Sequence, residues 1–319
     1  MPKNEQLSLF DQPKQDDASA APLSEPKELT KRSSIVAASM AYHEQMLRSG
    51  MSPHTVKAFS LDLKLFAGYI GADRRIGAIT SRDIGNYLHW LKHERDVPCS
   101  VKSLERRLTT LKVFFKWLTE SGVINADPAA PMIHERSTDP LPKILYEDQI
   151  KRLLNVTRQM MRAEKPDARP YLLVTLLLQT GMKKSECAGI RLEHIDLSDP
   201  QSPTVWIRYG SARHARKERR LYLPADFAEI FALYREQYQP KEKLFEVAAR
   251  NLERALTIAG REAGLTEGVS FEGLRMTAAV RDYKAGVAPE TMRKKYGLSE
   301  ITWKTETLPR IKQLAESPL

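Results

Sequence analysis

The sequence predicts a mainly α fold with a small β-hairpin, an α+β chain in two domains. Three observations predict it. Apolar residues recur at helical spacing in four successive stretches between positions 35 and 122, each marked by a capping residue or a glycine stop. A stretch from 125 to 143 then carries Pro128, Pro131, Pro140 and Pro142, which preclude a regular helix and give an extended linker. Beyond it, further helical stretches surround two strand-like runs joined by a glycine-started, strongly basic loop. A length of 319 residues accommodates two domains.

Composition narrows the function class. The net charge is +10. Residues 1–32 hold slightly more acid than base, so the positive excess lies on the rest of the chain and points to a polyanionic partner, usually nucleic acid. No apolar run approaches the ~18 residues of a membrane span, and the N-terminus lacks the apolar segment of a signal peptide. Cys99 and Cys187 are the only cysteines and lie far apart, which suits neither a zinc knuckle nor a disulfide framework. A cytoplasmic, nucleoid-associated protein without membrane, metal or cofactor is the expectation.

Along the chain, residues 1–33 are expected to be a disordered tail, rich in Pro, Ser, Ala, Asp and Lys. Its exception is Gln6-Leu7-Ser8-Leu9-Phe10, an apolar cluster suited to a docking peptide. Residues 34–124 form the helical domain. Ser52-Pro53 supplies a cap and a first-turn proline, followed by Val56, Phe59, Leu63, Phe66 and Ile70 as one stripe. Thr80 caps a third helix bearing Ile84, Tyr87, Leu88 and Leu91. Ser100 opens a fourth with Leu104, Leu108, Leu111, Phe115 and Leu118. Away from that last stripe lie Lys102, Arg106, Arg107, Lys112 and Lys116. They are either a solvated face or, as a set, phosphate contacts.

Residues 125–140 are the linker and 141–319 the second domain. Its centre is the stretch from 176 to 197, LLLQTGMKKSECAGIRLEHIDL. Gly181 stops a first helix, Ser185-Glu186 suit the first turn of the next, and a second amphipathic piece ends at Leu197. Residues 204–208 and 219–223 read as strands around a loop with Arg213, His214, Arg216 and Lys217. Helices are expected from about 223 to 234 and 252 to 264.

These segments, in this order, resemble the tyrosine recombinases, the phage-integrase and Xer group. The stretch around Gly181 is similar to T-G-L-R-x-S-E-L-x-x-L, with Lys183 in place of the catalytic arginine. Ser52, Thr55, Val56, Phe59, Asp62, Leu63 and Phe66 match the opening of the SAM-like core-binding domain. Residues 141–156 match the start of the catalytic domain. The basic hairpin stands where the family has a proton-donating lysine, which falls on His214 or on Lys217. Phe271-Glu272-Gly273-Leu274-Arg275-Met276-Thr277 stands at H-x-L-R-H-T. Arg275 keeps the second arginine, while Glu272 and Met276 replace histidines. Leu298 replaces the last His or Trp, and the nucleophilic tyrosine falls near Thr307.

That resemblance implies a degenerate site. Arginine offers two parallel N–H bonds to a phosphate, which Lys183 cannot reproduce. Glu272 would set an anion beside the phosphate. Without the phenol there is no covalent step, unless Tyr283, Tyr296 or Thr307 stands in as a displaced nucleophile. The expectation is a pseudo-recombinase from a mobile element or genome, clamping duplex DNA with both domains through the helical-domain cations and Lys183, Lys184, Arg213, His214, Arg216, Lys217, Arg219 and Arg275. It would act in DNA recombination or integration as an architectural, regulatory or accessory factor, alone, as a self-oligomer or beside an active recombinase. Gln6, Leu7, Leu9 and Phe10 resemble the Q-L-x-L-F peptide that enters the bacterial sliding clamp. The alternatives are an active recombinase or integrase with a displaced nucleophile, and a protein-interaction module recruited to the clamp.

Overall fold

The computed structural model describes residues 29–133, 140–210, 212–265 and 267–316. The docking peptide Gln6–Phe10 lies outside them. The chain divides into two compact units, Met1–Asp139 and Pro140–Leu319.

In the first unit, four helices follow their sequence signals: α1 (Ile35–Arg48), α2 (Pro53–Ile70), α3 (Ser81–His93) and α4 (Val101–Glu120). The Ser34 hydroxyl accepts from Ala37 N–H at 3.2 Å and Ser52 from Thr55 N–H at 3.1 Å. Thr80 and Asp83 form a reciprocal capping box, and Ser100 caps α4. The α4 stripe is buried as its spacing requires, and Phe114 joins it. Phe66 sits edge-on to Tyr87 and Phe115, with centroids 5.0 and 6.2 Å apart, so aromatic packing ties α2 to α3 and α4.

A buried acid crosses this core. Asp62 of α2 is 4% exposed, receives the Thr110 hydroxyl at 2.9 Å, bonds Arg106 and lies 3.6 Å from Arg107. Burial raises its carboxyl above the ordinary range, against the pull of Thr110 and the two arginines. Arg106 and Arg107 thus have an internal partner, which qualifies their reading as phosphate contacts. Lys102 and Lys116 remain exposed and Lys112 half-buried, with Lys116 3.6 Å from Glu120. Thr110→Val should cost about 1.5 kcal/mol by leaving Asp62 one donor short. Urea unfolding measures it, and an unchanged midpoint would show that the arginines suffice.

In the second unit, α5 (Glu147–Met161) packs on α6 (Arg169–Thr180), which is buried along nearly its whole length. The short α7 (Lys184–Ala188) follows, then a three-stranded antiparallel sheet in the order β1 (Ile195–Asp196), β2 (Thr204–Ile207), β3 (Arg219–Tyr222). Helices α8 (Phe227–Tyr238), α9 (Ala249–Glu262), α10 (Phe271–Lys284) and α11 (Pro289–Lys295) come next. After α12 (Glu300–Thr302), a π-helical turn, Trp303–Thr307, leads into α13 (Leu308–Glu316). Ile311 and Leu314 of α13 are buried with Met276, Met292, Tyr296 and Trp303. The chain is mainly helical with one small sheet, as expected. The second amphipathic piece is α-helical only over α7. Its end is a 3-10 turn, Leu192–His194, and the edge strand β1, because Ile195 pairs with Val205.

Among the described residues no helix is long and apolar enough to cross a membrane, and no cluster of His, Cys, Asp or Glu is suited to a metal ion.

Candidate functional site

The site forms where α6 ends. Gly181 adopts φ +57°, and a Cβ there would lie 2.3 Å from the Tyr296 ring, so only glycine both turns the chain and admits that ring. Two residues on, Lys183 N–H donates to Glu186 Oε2 at 2.8 Å. The Glu186 side chain has no exposure. Arg219 grips it with two N–H bonds at 3.0 and 2.9 Å, and the Tyr209 hydroxyl donates to it as well. Burial pushes this carboxyl up, but the Arg219 bonds and charge, the Tyr209 hydroxyl and the Lys183 N–H outweigh it, and its pKa falls below the ordinary value.

Arg219 also donates to Lys295 O at 2.6 Å and to Lys217 O at 3.1 Å, joining α7, β3 and α11. A Cβ on Gly297 would lie 2.6 Å from its guanidinium. This arginine is an internal strap whose side chain is 10% exposed, not the outward cation that its place in a basic run suggested.

Arg275 is similarly held. Its guanidinium donates to Gly181 O and, at 2.7 Å, to Tyr296 O, and stacks 5.1 Å from the Tyr296 ring centroid. It is 8% exposed, and burial lowers its pKa against the carboxylates of Glu186 and Glu272. Lys183 is half-buried. Burial lowers its pKa and Glu186 opposes that, while Arg275, Lys217 and Arg219 push it lower still. The positions read as Lys183, Lys217, Arg219 and Arg275 therefore share one electrostatic environment.

The other predicted positions are placed as follows. His214 and Lys217 are half-buried in the 3-10 turn Ala212–Lys217, which includes Arg213 and the exposed Arg216. The His214 ring lies 5.4 Å from that of Tyr209. A cleft of about 640 Å³ is lined by Arg216, Lys217, Arg293 and Lys294 together with Leu298 and the carboxylates Glu218 and Glu300. Glu272 is exposed in the first turn of α10, where a carboxylate suits the helix dipole. Lys184 pairs with Glu253 at 2.8 Å. Thr307 closes the π-helical turn, half-buried.

Of the candidate nucleophiles, Tyr296 is 1% exposed, donates its hydroxyl to Asp282 at 2.7 Å, and has its pKa driven far up by burial and by Asp282. Tyr283 is partly buried against the α10–α13 core. Sequence reasoning missed Tyr209, the phenol beside Glu186, because nothing local marks it. Burial and Glu186 raise its pKa to about 12. It also missed Arg293 and Lys294, whose signal was the basic run 293–295.

Residues 41–122 match the phage integrase N-terminal SAM-like domain, and residues 143–303 match the phage integrase family. Tyrosine recombinase XerC of Oceanobacillus iheyensis is 29% identical over 203 residues, 63% of this chain and 61% of that protein, so the chain spans less than two thirds of this relative's length. A tyrosine recombinase of Thermosipho africanus is 25% identical over 258 residues, 79% of this chain and 87% of that protein. A lambda integrase dimer bound to a COC' core site superimposes with a TM-score of 0.68 at 14% identity, covering 90% of this chain and 79% of that one. The fold is shared with that integrase, and with the family match extending over half of its length, the chain belongs to the phage integrase family of tyrosine recombinases.

Proposed function

We propose that this protein binds duplex DNA and holds it without breaking a strand, as an architectural, regulatory or accessory factor in recombination or integration. The observation that carries this reading is the segment after Gly297. Residues 298–319 contain no tyrosine, and the phenol just before them, Tyr296, is buried and bonded to Asp282. A buried, neutral phenol whose O–H is donated to the Asp282 carboxylate is neither ionised nor exposed to attack phosphorus. Lys183 in the place of an arginine, and Arg275 with two N–H groups on backbone carbonyls, further weaken stabilisation of a phosphorane-like transition state.

DNA binding rests on family membership and on cations that keep an outward position. These are the exposed Lys102 and Lys116 in the helical unit and the exposed Lys184 and Arg216 around the hairpin, with Lys112, His214 and Lys217 half-buried. Self-association on DNA, or partnership with a competent recombinase, follows from the same reading. Gln6, Leu7, Leu9 and Phe10 would recruit the protein to the replicative sliding clamp, and alanine at Leu9 and Phe10 should abolish capture by that clamp.

The test is a gel series on duplex DNA from the protein's own locus, run native across a salt range and again after detergent denaturation. Native retention that weakens steeply with salt, with no complex surviving detergent, is expected. A detergent-resistant complex overturns the reading, and peptide mapping would then identify the attached residue. Absence of retention at every salt concentration favours a protein-interaction module.

A further inference from the structure

The sheet has a second face that the duplex-binding site does not use. Val205, Ile207 and Leu221 point into the core, so alternation puts their neighbours on the opposite side. Cross-strand register pairs Thr204 with Tyr222 and Trp206 with Arg220 on that side. Trp206 is 38% exposed and Tyr222 68% exposed. The Arg208 and Arg220 guanidiniums lie 5.5 and 6.0 Å from the centroid of the Trp206 ring. Arg220 is fixed by the Thr204 hydroxyl at 2.8 Å and by Asp196. Arg208 is exposed, and no acid pairs with it among the described residues.

We propose that this face is a stacking platform for unpaired bases of single-stranded nucleic acid. Bases of any identity stack on aromatic rings, and arginine beside the rings adds cation–π attraction and phosphate contact. The composition favours this over a protein partner. The face exposes aromatic rings and arginine but no Leu, Ile, Val or Met, whereas a protein contact normally includes aliphatic anchors. Trp206 and Tyr222 stand diagonally across the strand pair, about 7–8 Å apart, a separation that two successive nucleotides of an unstacked strand can bridge. Arg208 adjoins the loop that carries His214, Arg216 and Lys217, so a backbone leaving the platform meets further positive charge. This proposal is independent of duplex binding and requires no cleavage.

Tryptophan emission provides the test, because Trp90, Trp117 and Trp303 are half-buried or buried while Trp206 is exposed. Oligothymidylate titrated into the full chain should quench emission. Trp206→Phe should keep the affinity and lose the quench. Tyr222→Ala, an exposed position with little folding risk, and Trp206→Ala should each weaken oligothymidylate about tenfold, the effect of one lost stack, while duplex retention stays unchanged. Absence of quenching, quenching that persists in Trp206→Phe, or parallel loss of duplex and single-strand affinity would overturn the proposal. So would variants that leave oligothymidylate affinity intact but abolish self-association in sedimentation, which would make the face a protein contact.

Discussion

Glu186→Gln is expected to destabilise the integrase-type unit by about 3–5 kcal/mol at neutral pH, the usual cost of breaking a buried ion pair from one side. The Arg219 guanidinium would stay buried without its carboxylate, and its bonds to Lys295 O and Lys217 O cannot neutralise it. The effect has a defined pH dependence. The folded-state pKa of Glu186 lies below the ordinary 4.5. Its contribution is therefore complete above about 4.5 and lost as the pH falls through the lower folded-state value. Urea unfolding across a pH series should show the wild type and the variant converging in acid. A gap that stays constant with pH would mean that shape, and not charge, sets the loss.

Arg275→Ala is the second large effect, about 3 kcal/mol, because it removes the donors to the buried Gly181 O and Tyr296 O. Arg275→Lys should recover only part of it, since one ammonium cannot span two carbonyls as the planar fork does. Arg275 joins the end of α6 to the end of α11, so hydrogen exchange in the variant should accelerate at both ends. Duplex affinity should fall only as far as folding does. A variant that kept its stability and lost duplex affinity would make Arg275 a phosphate ligand and reverse its structural assignment.

The helices were legible because their signals are local. Ser34, Ser52, Thr80 and Ser100 cap within three residues of themselves, and glycines such as Gly50, Gly71 and Gly122 stop the chain at positive φ. Strand β1 was not legible, because two residues become a strand only by pairing with β2. The same distinction divides the site. Its positions were legible by resemblance, but their roles depend on partners distant in sequence. Arg106 finds Asp62 44 residues away, and Arg219 finds Glu186 33 residues away. A basic run seen alone gives no sign that one of its members turns inward.

The π-helical turn at Trp303–Thr307 bears on how this terminus can be edited. A π turn holds one residue more than the α-helix around it accommodates, so it acts as a single-residue insertion between α12 and α13. Deleting one residue inside the turn would leave a continuous helix and keep Ile311 and Leu314 on their buried face. Deleting one residue after Leu308 would rotate everything beyond it by about 100° and move Leu314 off the core. A tyrosine grafted at Thr307, at the end of the turn, would for the same reason have to be compared with grafts at Glu306 and Leu308.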